Sequence, residues 1–355
     1  MSPSTSPGLS DAVAPPQSLC ILRLSAIGDV CHVVPIVRTL QHAWPETRIT
    51  WVIGRIEARL MSLLPGVEFI TIDKRSLRGG ALALRQALRG RRFDVLLHMQ
   101  YALRASLYSM LIRADLRVGF DRARARELQW LFCNRRIAAR RNQHVLDSFF
   151  GFPEALGITE RRLEWKLPIP EAAQAWARER IADGARTLIV CPCSSRRARN
   201  WLVERYAAVI DHAVRRHGLQ VLLCGAPSDF ERAMASDIER AANVPVRNIV
   251  GTDTLPQLLA LLARATVLLA PDTGPAHMAT MVGTPVIGVG ATTRSARSGP
   301  YLSRQWCVDR YAEAALKFRG RPAEQLPWNE TIEDDGAMAL VETAAVCAQL
   351  DALLR

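Results

Sequence analysis

The chain has 355 residues, 49% of them hydrophobic and 23% charged, an ordinary globular profile long enough for about two domains. No stretch approaches the ~18 uninterrupted apolar residues of a membrane helix; the most apolar one, 258–270, is broken by Arg264. The net charge of +12 lies almost wholly in the first half, where residues 1–167 carry 25 basic against 14 acidic side chains, while 168–355 carry 21 against 20. A field so placed points to an anionic partner, or to a solvated surface in a chain whose only lysines are Lys74, Lys166 and Lys317.

In chain order, residues 1–17 are rich in Ser, Pro and Ala and lack the basic start and apolar core of a secretory signal, so they read as a disordered tail. Short apolar runs then alternate with helical periodicity, the mark of parallel α/β units. The first series predicts strands at 19–24, 48–53, 68–72, 93–99 and near Val118, with helices at 30–43, 81–88 and 103–112. Prolines 168 and 170 mark a linker at 163–170. The second series predicts helices at 171–182, 201–216, 229–241, 255–263 and 274–282, with strands at 187–191, 219–224, 246–250, 267–269 and 285–289. Domains are therefore expected at 18–167 and 168–335, followed by a terminal helix within 336–355. Eight cysteines (20, 31, 133, 191, 193, 224, 307 and 347) sit mostly inside apolar runs, as reduced thiols of a cytoplasmic chain do.

In doubly wound sheets ligands gather at the carboxyl ends of strands, and three such turns carry chemistry. The first reads Leu24-Ser25-Ala26-Ile27-Gly28-Asp29-Val30. Asp29 stands there either as a first-turn acid favoured by the helix dipole or as a carboxylate poised to take a proton. The second, Asp272-Thr273-Gly274-Pro275-Ala276-His277, opens a helix whose free amides suit a diphosphate. The third, Cys191-Pro192-Cys193-Ser194-Ser195-Arg196-Arg197-Ala198-Arg199-Asn200, supplies hydroxyls and guanidinium forks for phosphate oxygens. Its two cysteines lack the second ligand pair of a metal site.

These turns, with His32, Gly225-Ala226-Pro227 and Trp201, resemble glycosyltransferase family 9, the lipopolysaccharide core heptosyltransferases, over about 19–290. The resemblance implies a GT-B fold, two doubly wound α/β domains facing a central cleft. The N-terminal domain would take the acceptor and the C-terminal domain the nucleotide sugar, with the terminal helix crossing back to the first domain. It further implies an ADP-heptose donor and the anionic Kdo-bearing inner core on lipid A as acceptor, with inverting transfer at the cytoplasmic face of the inner membrane by a peripherally bound monomer.

Carried over residue by residue, Asp29 matches the catalytic base, and Ser25, Ser194, Ser195, Asp272, Thr273, Gly274 and His277 match donor contacts. Arg199 stands where many relatives have Lys, and Asp229 is the approximate match for an acid on the ribose. Arg122, Arg124 and Arg126 match a basic acceptor-binding segment. Leu111 and Ile112, flanked by Arg104 and Arg113, suggest contact with an anionic bilayer. No two Asp are spaced as D-x-D, so leaving-group charge is expected to fall to helix amides and Arg199, without metal or cofactor. Nucleic-acid binding is the other reading of the charge, but aromatic residues are only 6%, too few for interleaved stacking platforms. The segment 299–328 carries no functional signal.

Overall fold

The structure, a computed structural model, describes residues 13–355 and divides into two compact units. The first comprises the chain to Leu167 apart from Asn142–His144; the second comprises Asn142–His144 with Pro168–Arg355.

The first unit runs β1 (Ser18–Leu22), α1 (Ile27–Ala43), β2 (Arg48–Gly54), α2 (Arg55–Met61), β3 (Val67–Ile72), α3 (Leu77–Ala87), β4 (Phe93–His98), α4 (Leu103–Ser109), β5 (Ala114–Gly119), β6 (Arg135–Arg136) and α5 (Val145–Ala155). All strands are parallel, in the order β3-β2-β1-β4-β5-β6. This is the order of a dinucleotide-binding sheet, whose direction reverses between β1 and β4. β1 is apolar throughout its inner positions because it lies mid-sheet with both faces covered. Its Cys20 and Leu22 join Leu84 of α3 and Tyr108 of α4 in one core layer, while α1 packs with α5.

The second unit runs α6 (Glu171–Arg178), β7 (Thr187–Val190), α7 (Val203–His217), β8 (Gln220–Leu223), α8 (Asp229–Ala241), β9 (Arg247–Asn248), α9 (Leu255–Arg264), β10 (Val267–Ala270), α10 (Gly274–Val282), β11 (Val286–Gly290), α11 (Ser295–Ser298), β12 (Val308–Asp309), α12 (Tyr311–Arg319) and α13 (Thr343–Leu353). Its order, β12-β11-β10-β7-β8-β9 and all parallel, repeats the first, with the reversal between β7 and β10.

Three expectations change. Residues 1–12 lie outside the described part, but 13–17 are not a loose tail. The Val13 amide donates to the Leu156 carbonyl (3.1 Å), Thr47 Oγ1 to that of Pro16 (2.6 Å) and the Arg48 amide to that of Gln17 (3.0 Å). The terminal helix, expected to cross back to the first unit, instead buries Val346 and Leu350 in the core of the second, beside α7. The segment 299–328, silent in sequence, folds around Arg294. That guanidinium stacks 4.1 Å from the Tyr311 ring centroid and donates to the carbonyls of Pro327 (2.9 Å), Trp328 (3.1 Å) and Ala323. Asp309 accepts from the amide (2.7 Å) and hydroxyl (2.6 Å) of Ser295, tying the sixth strand to α11.

Candidate functional site

Each sheet presents one cluster at its own reversal point. In the first unit, β1 ends and the chain turns through Ser25 into α1, while β4 ends beside it and delivers Gln100. Gln100 Oε1 accepts from the Leu24 amide (2.7 Å) and Nε2 donates to Ser25 Oγ (3.5 Å), so the two strand ends are stitched together. Asp29, in the first turn of α1, uses only Oδ2: it accepts from the Ala26 amide (3.3 Å) and pairs with the Arg23 guanidinium. Oδ1 has no partner among the described residues, and the side chain is one-third exposed. Arg23 is buried, donates to the Met99 carbonyl (2.6 Å) and lies 5.2 Å from the Phe149 ring centroid. Asp29 is therefore both a helix-terminus acid and an oriented, accessible carboxylate.

In the second unit Asp272, at the end of β10, is a hub. Its Oδ2 accepts from Arg199 (3.0 Å), Thr293 Oγ1 (3.0 Å) and Ser298 Oγ (3.1 Å), and Oδ1 lies 3.7 Å from His277 Nε2. Burial pushes this carboxyl up, but His277, Arg199 and Thr293 outweigh it and hold it at about 2. The loop after β7 is laced to the same turn. Ser194 Oγ donates to the Asp272 carbonyl (3.1 Å), the Ser194 amide to Asn200 Oδ1 (2.7 Å), and Thr273 Oγ1 to the Cys193 carbonyl (3.1 Å). Gly274 and Pro275 then open α10 without a side-chain cap, which leaves its first amides for an anion. Ser194, Arg199, Asp272, Thr273, Gly274 and His277 thus share one cluster, with Ser195 exposed on the same loop.

This pairing of sheets and turns has known counterparts. The sequence matches the profile of glycosyltransferase family 9 (heptosyltransferase) over residues 81–327. It is 39% identical, over 95% of its length and 97% of the relative's, to the lipopolysaccharide core heptosyltransferase OpsX of Haemophilus influenzae. The chain belongs to glycosyltransferase family 9. Among solved structures, the family 9 glycosyl transferase of Veillonella parvula superposes with a TM-score of 0.79 at 20% identity, covering 97% of this chain and 99% of that one. The Escherichia coli heptosyltransferase WaaC, solved with ADP, gives 0.70 at 20% identity over 95% and 99%. Both likenesses bear on the fold, which is the GT-B arrangement of two doubly wound α/β domains.

Other residues of this family 9 chain lie outside these two clusters. Asp229 is exposed at the start of α8, whereas Glu231 turns back to the end of β8 and accepts from the Ala226 amide (2.7 Å). Burial raises the Glu231 carboxyl, and burial pushes the neighbouring Asp253 up to about 6, with Glu231 adding to the rise. Sequence reasoning missed Glu231 because Asp229 occupies the first helical turn two residues earlier. It missed Arg23 and Gln100 because neither stands in a turn motif.

Of the three arginines that the resemblance matches to an acceptor-binding segment, Arg124 pairs with the buried Asp121 and donates to the Ala138 carbonyl (2.7 Å). Arg122 and Arg126 are exposed, 5.2 Å from the Trp130 ring centroid and 5.8 Å from that of Tyr101. In the loop after β7, Arg196 pairs with Glu333 (2.7 Å) and Arg197 stacks on Phe230 (4.3 Å), leaving Arg199 to the cluster.

The bilayer expectation also moves. Ile112 is buried beside Tyr108 in the core, and the exposed apolar side chains of this region are Leu103 and Leu107 of α4 and Met110 just after its last turn, with Leu128 and Leu131 beyond. Among the described residues no helix is long and apolar enough to cross a membrane. The one group of three or more His, Cys, Asp or Glu with metal-ligand spacing among them, His212, His217 and Asp351, lies outside both clusters.

Proposed function

We propose that this family 9 glycosyltransferase moves L-glycero-D-manno-heptose from ADP-heptose to the Kdo/heptose inner core of lipopolysaccharide, with inversion at the anomeric carbon and Asp29 as general base. The observation that carries this reading is the division of labour within Asp29. Oδ2 is engaged by Arg23 and the Ala26 amide, and Oδ1 is left to accept a proton. As the acceptor hydroxyl loses its proton to Asp29, its oxygen bonds to the anomeric carbon and the bond from that carbon to the β-phosphate oxygen breaks. The charge released on ADP is met by Arg199 and the first amides of α10, donors placed before the reaction begins. Glu231, in the first turn of α8 with its carboxylate turned back to the end of the second strand of its sheet, is the acid proposed for the ribose hydroxyls. Asp272, through Oδ2, holds Arg199, Thr293 and Ser298 in position and keeps Oδ1 3.7 Å from His277, so its proposed part is to orient the groups around the sugar nucleotide.

The name of the relative sharing 39% identity supports the acceptor class, and the basic first half supplies charge complementary to its carboxylates and phosphates. Arg122 and Arg126 are the contacts proposed for it. An inner core anchored on lipid A would bring the enzyme to the cytoplasmic membrane surface, where Leu103 and Leu107 of α4 and the adjoining Met110, with Arg104 and Arg113 nearby, suit an anionic leaflet. Transfer assays with ADP-heptose, ADP-glucose and UDP-glucose against defined core acceptors, read by mass spectrometry and by the anomeric configuration of the product, test this reading. ADP-heptose alone is expected to serve, with an inverted linkage. Retention of configuration, or turnover abolished by chelator and restored by magnesium, would overturn the mechanism.

A further inference from the structure

We propose that His212, His217 and Asp351 form a site for a divalent transition-metal ion of the zinc type that clips the last helix of the chain to α7. α7 starts near the donor cluster and ends at the opposite edge of its sheet, where Gln220 of β8 donates to Thr187 Oγ1 at the start of β7 (2.6 Å). His212 and His217 leave that far end of α7, and Asp351 arrives from α13. Both imidazole Nε2 atoms lie 2.6 Å from the same oxygen, Asp351 Oδ1. The three ligand-capable atoms all fall within 4.8 Å of one another.

Two imidazoles and one carboxylate are a donor set for zinc, cobalt(II) or nickel, whereas calcium and magnesium demand more oxygens. Metal–ligand bonds of about 2.0–2.2 Å at tetrahedral angles set ligand atoms about 3.3 Å apart. Each O···N contact must therefore open by about 0.7 Å, a change within reach of side-chain rotation for groups that all retain solvent access. The helices themselves need not move. Val346 and Leu350 of α13 and Tyr206, Val209, Ile210 and Ala213 of α7 share one packed core, so the donors are held together before an ion arrives. Of the cations on the same stretch, Arg215 is drawn 3.7 Å from Asp211 and Arg216 is exposed. The site stands at the far edge of the sheet from Asp272 and Arg199, so the ion's role is to pin α13, with water completing its coordination.

The full-length protein, stripped with chelator and dialysed, is titrated with Zn2+ by calorimetry and with Co2+ by its visible ligand-field bands, alongside His212→Gln, His217→Gln and Asp351→Asn. One equivalent is expected in the parent, at least tenfold weaker binding in each variant, and a Zn2+-dependent rise in Tm of about 3 °C in the parent alone. Asp351→Asn keeps the side chain's shape, and its metal-free circular dichroism and Tm separate lost binding from lost fold. Glycosyl transfer at moderate temperature is expected to be unchanged by the stripping. Absence of saturable binding, retention of the full equivalent by the variants, or a Tm that responds to pH through the imidazoles but not to metal would each overturn the site.

Discussion

The two sheets have the same strand order and each sets a carboxylate beside its reversal point, Asp29 after the first strand of one and Asp272 after the fourth of the other, yet the two carboxylates differ in exposure and in hydrogen bonding. Asp29 is one-third exposed, with one oxygen engaged and the other open. Asp272 is buried, takes three hydrogen bonds on one oxygen with His277 near the other, and is held at about 2. A buried carboxylate held low by three hydrogen bonds can hold its neighbours in register but has little capacity to receive a proton. One that is partly exposed at a strand end can receive it. Fold alone does not assign roles to them; the proposed roles rest on exposure and on the donors around each carboxylate.

The sharpest way to break this contrast is to remove proton acceptance from one carboxylate and charge from the other. Asp29→Asn is expected to lower kcat by about 10²–10⁴, with donor affinity measured by calorimetry within twofold of the parent. Near-normal turnover would reduce Asp29 to its capping role. Asp272→Asn is expected to act on the scaffold: weaker donor binding, lower turnover, and about 2 kcal/mol less stability in urea, since hydrogen bonds to a charged group are weakened together. Because the folded carboxyl lies at about 2 against an unfolded value near 3.9, its stabilisation is complete at neutral pH. It is lost as pH falls from about 4 toward 2, and the variant should lack that part of the acid transition. Arg199→Lys, which keeps the charge but loses the planar fork, should keep more donor affinity than Arg199→Ala.

The acceptor side allows a smaller but more selective test. Arg122→Ser with Arg126→Ser is expected to raise the acceptor KM about three- to tenfold and leave donor binding unchanged. Added salt should mimic the pair, because exposed charges are screened beyond about 8 Å at physiological ionic strength. Arg124→Ser, by contrast, should lower Tm, since it strips the partner from buried Asp121. A KM effect from Arg124 without a stability effect would reverse this assignment.

The turns after β1, β7 and β10 were legible because a buried parallel strand is a continuous apolar run, and the first polar residues after it must be the strand-end turn. What escaped was everything the fold brings in from another segment. Gln100 reaches Ser25 across the reversal point, Arg23 pairs with Asp29 from the opposite side of the turn, and Thr293 and Ser298 close on Asp272 from beyond β11. No period or motif links those positions. α2 was invisible for another reason: Gly54 ends β2 and Arg55 begins the helix with no intervening turn residue. The helix at 336–355 was expected in the right stretch, but which unit it covers depends on where Val346 and Leu350 find apolar partners, and an apolar stripe does not name its partner.

The smallest expected effect concerns the acids at the end of β8, where the second sheet has a second device that the first lacks. Burial pushes Asp253 up to about 6, and the nearby Glu231, itself raised by burial, adds to that shift. An unfolded aspartate titrates near 3.9, so between about pH 4 and 6 the folded chain holds a proton that the unfolded chain releases. Stability from this group is therefore complete below about pH 4 and is lost as pH rises to about 6, the reverse of the slope set by Asp272. Asp253→Asn removes the ionisation and should flatten that segment of the stability curve, leaving the variant more stable than the parent at pH 7. Urea titrations at pH 4, 5, 6 and 7 on the parent and the variant read it directly. Parallel curves across that range would mean that Asp253 titrates alike in the folded and unfolded chains, and would leave Glu231 as the single perturbed acid beside the proposed ribose position.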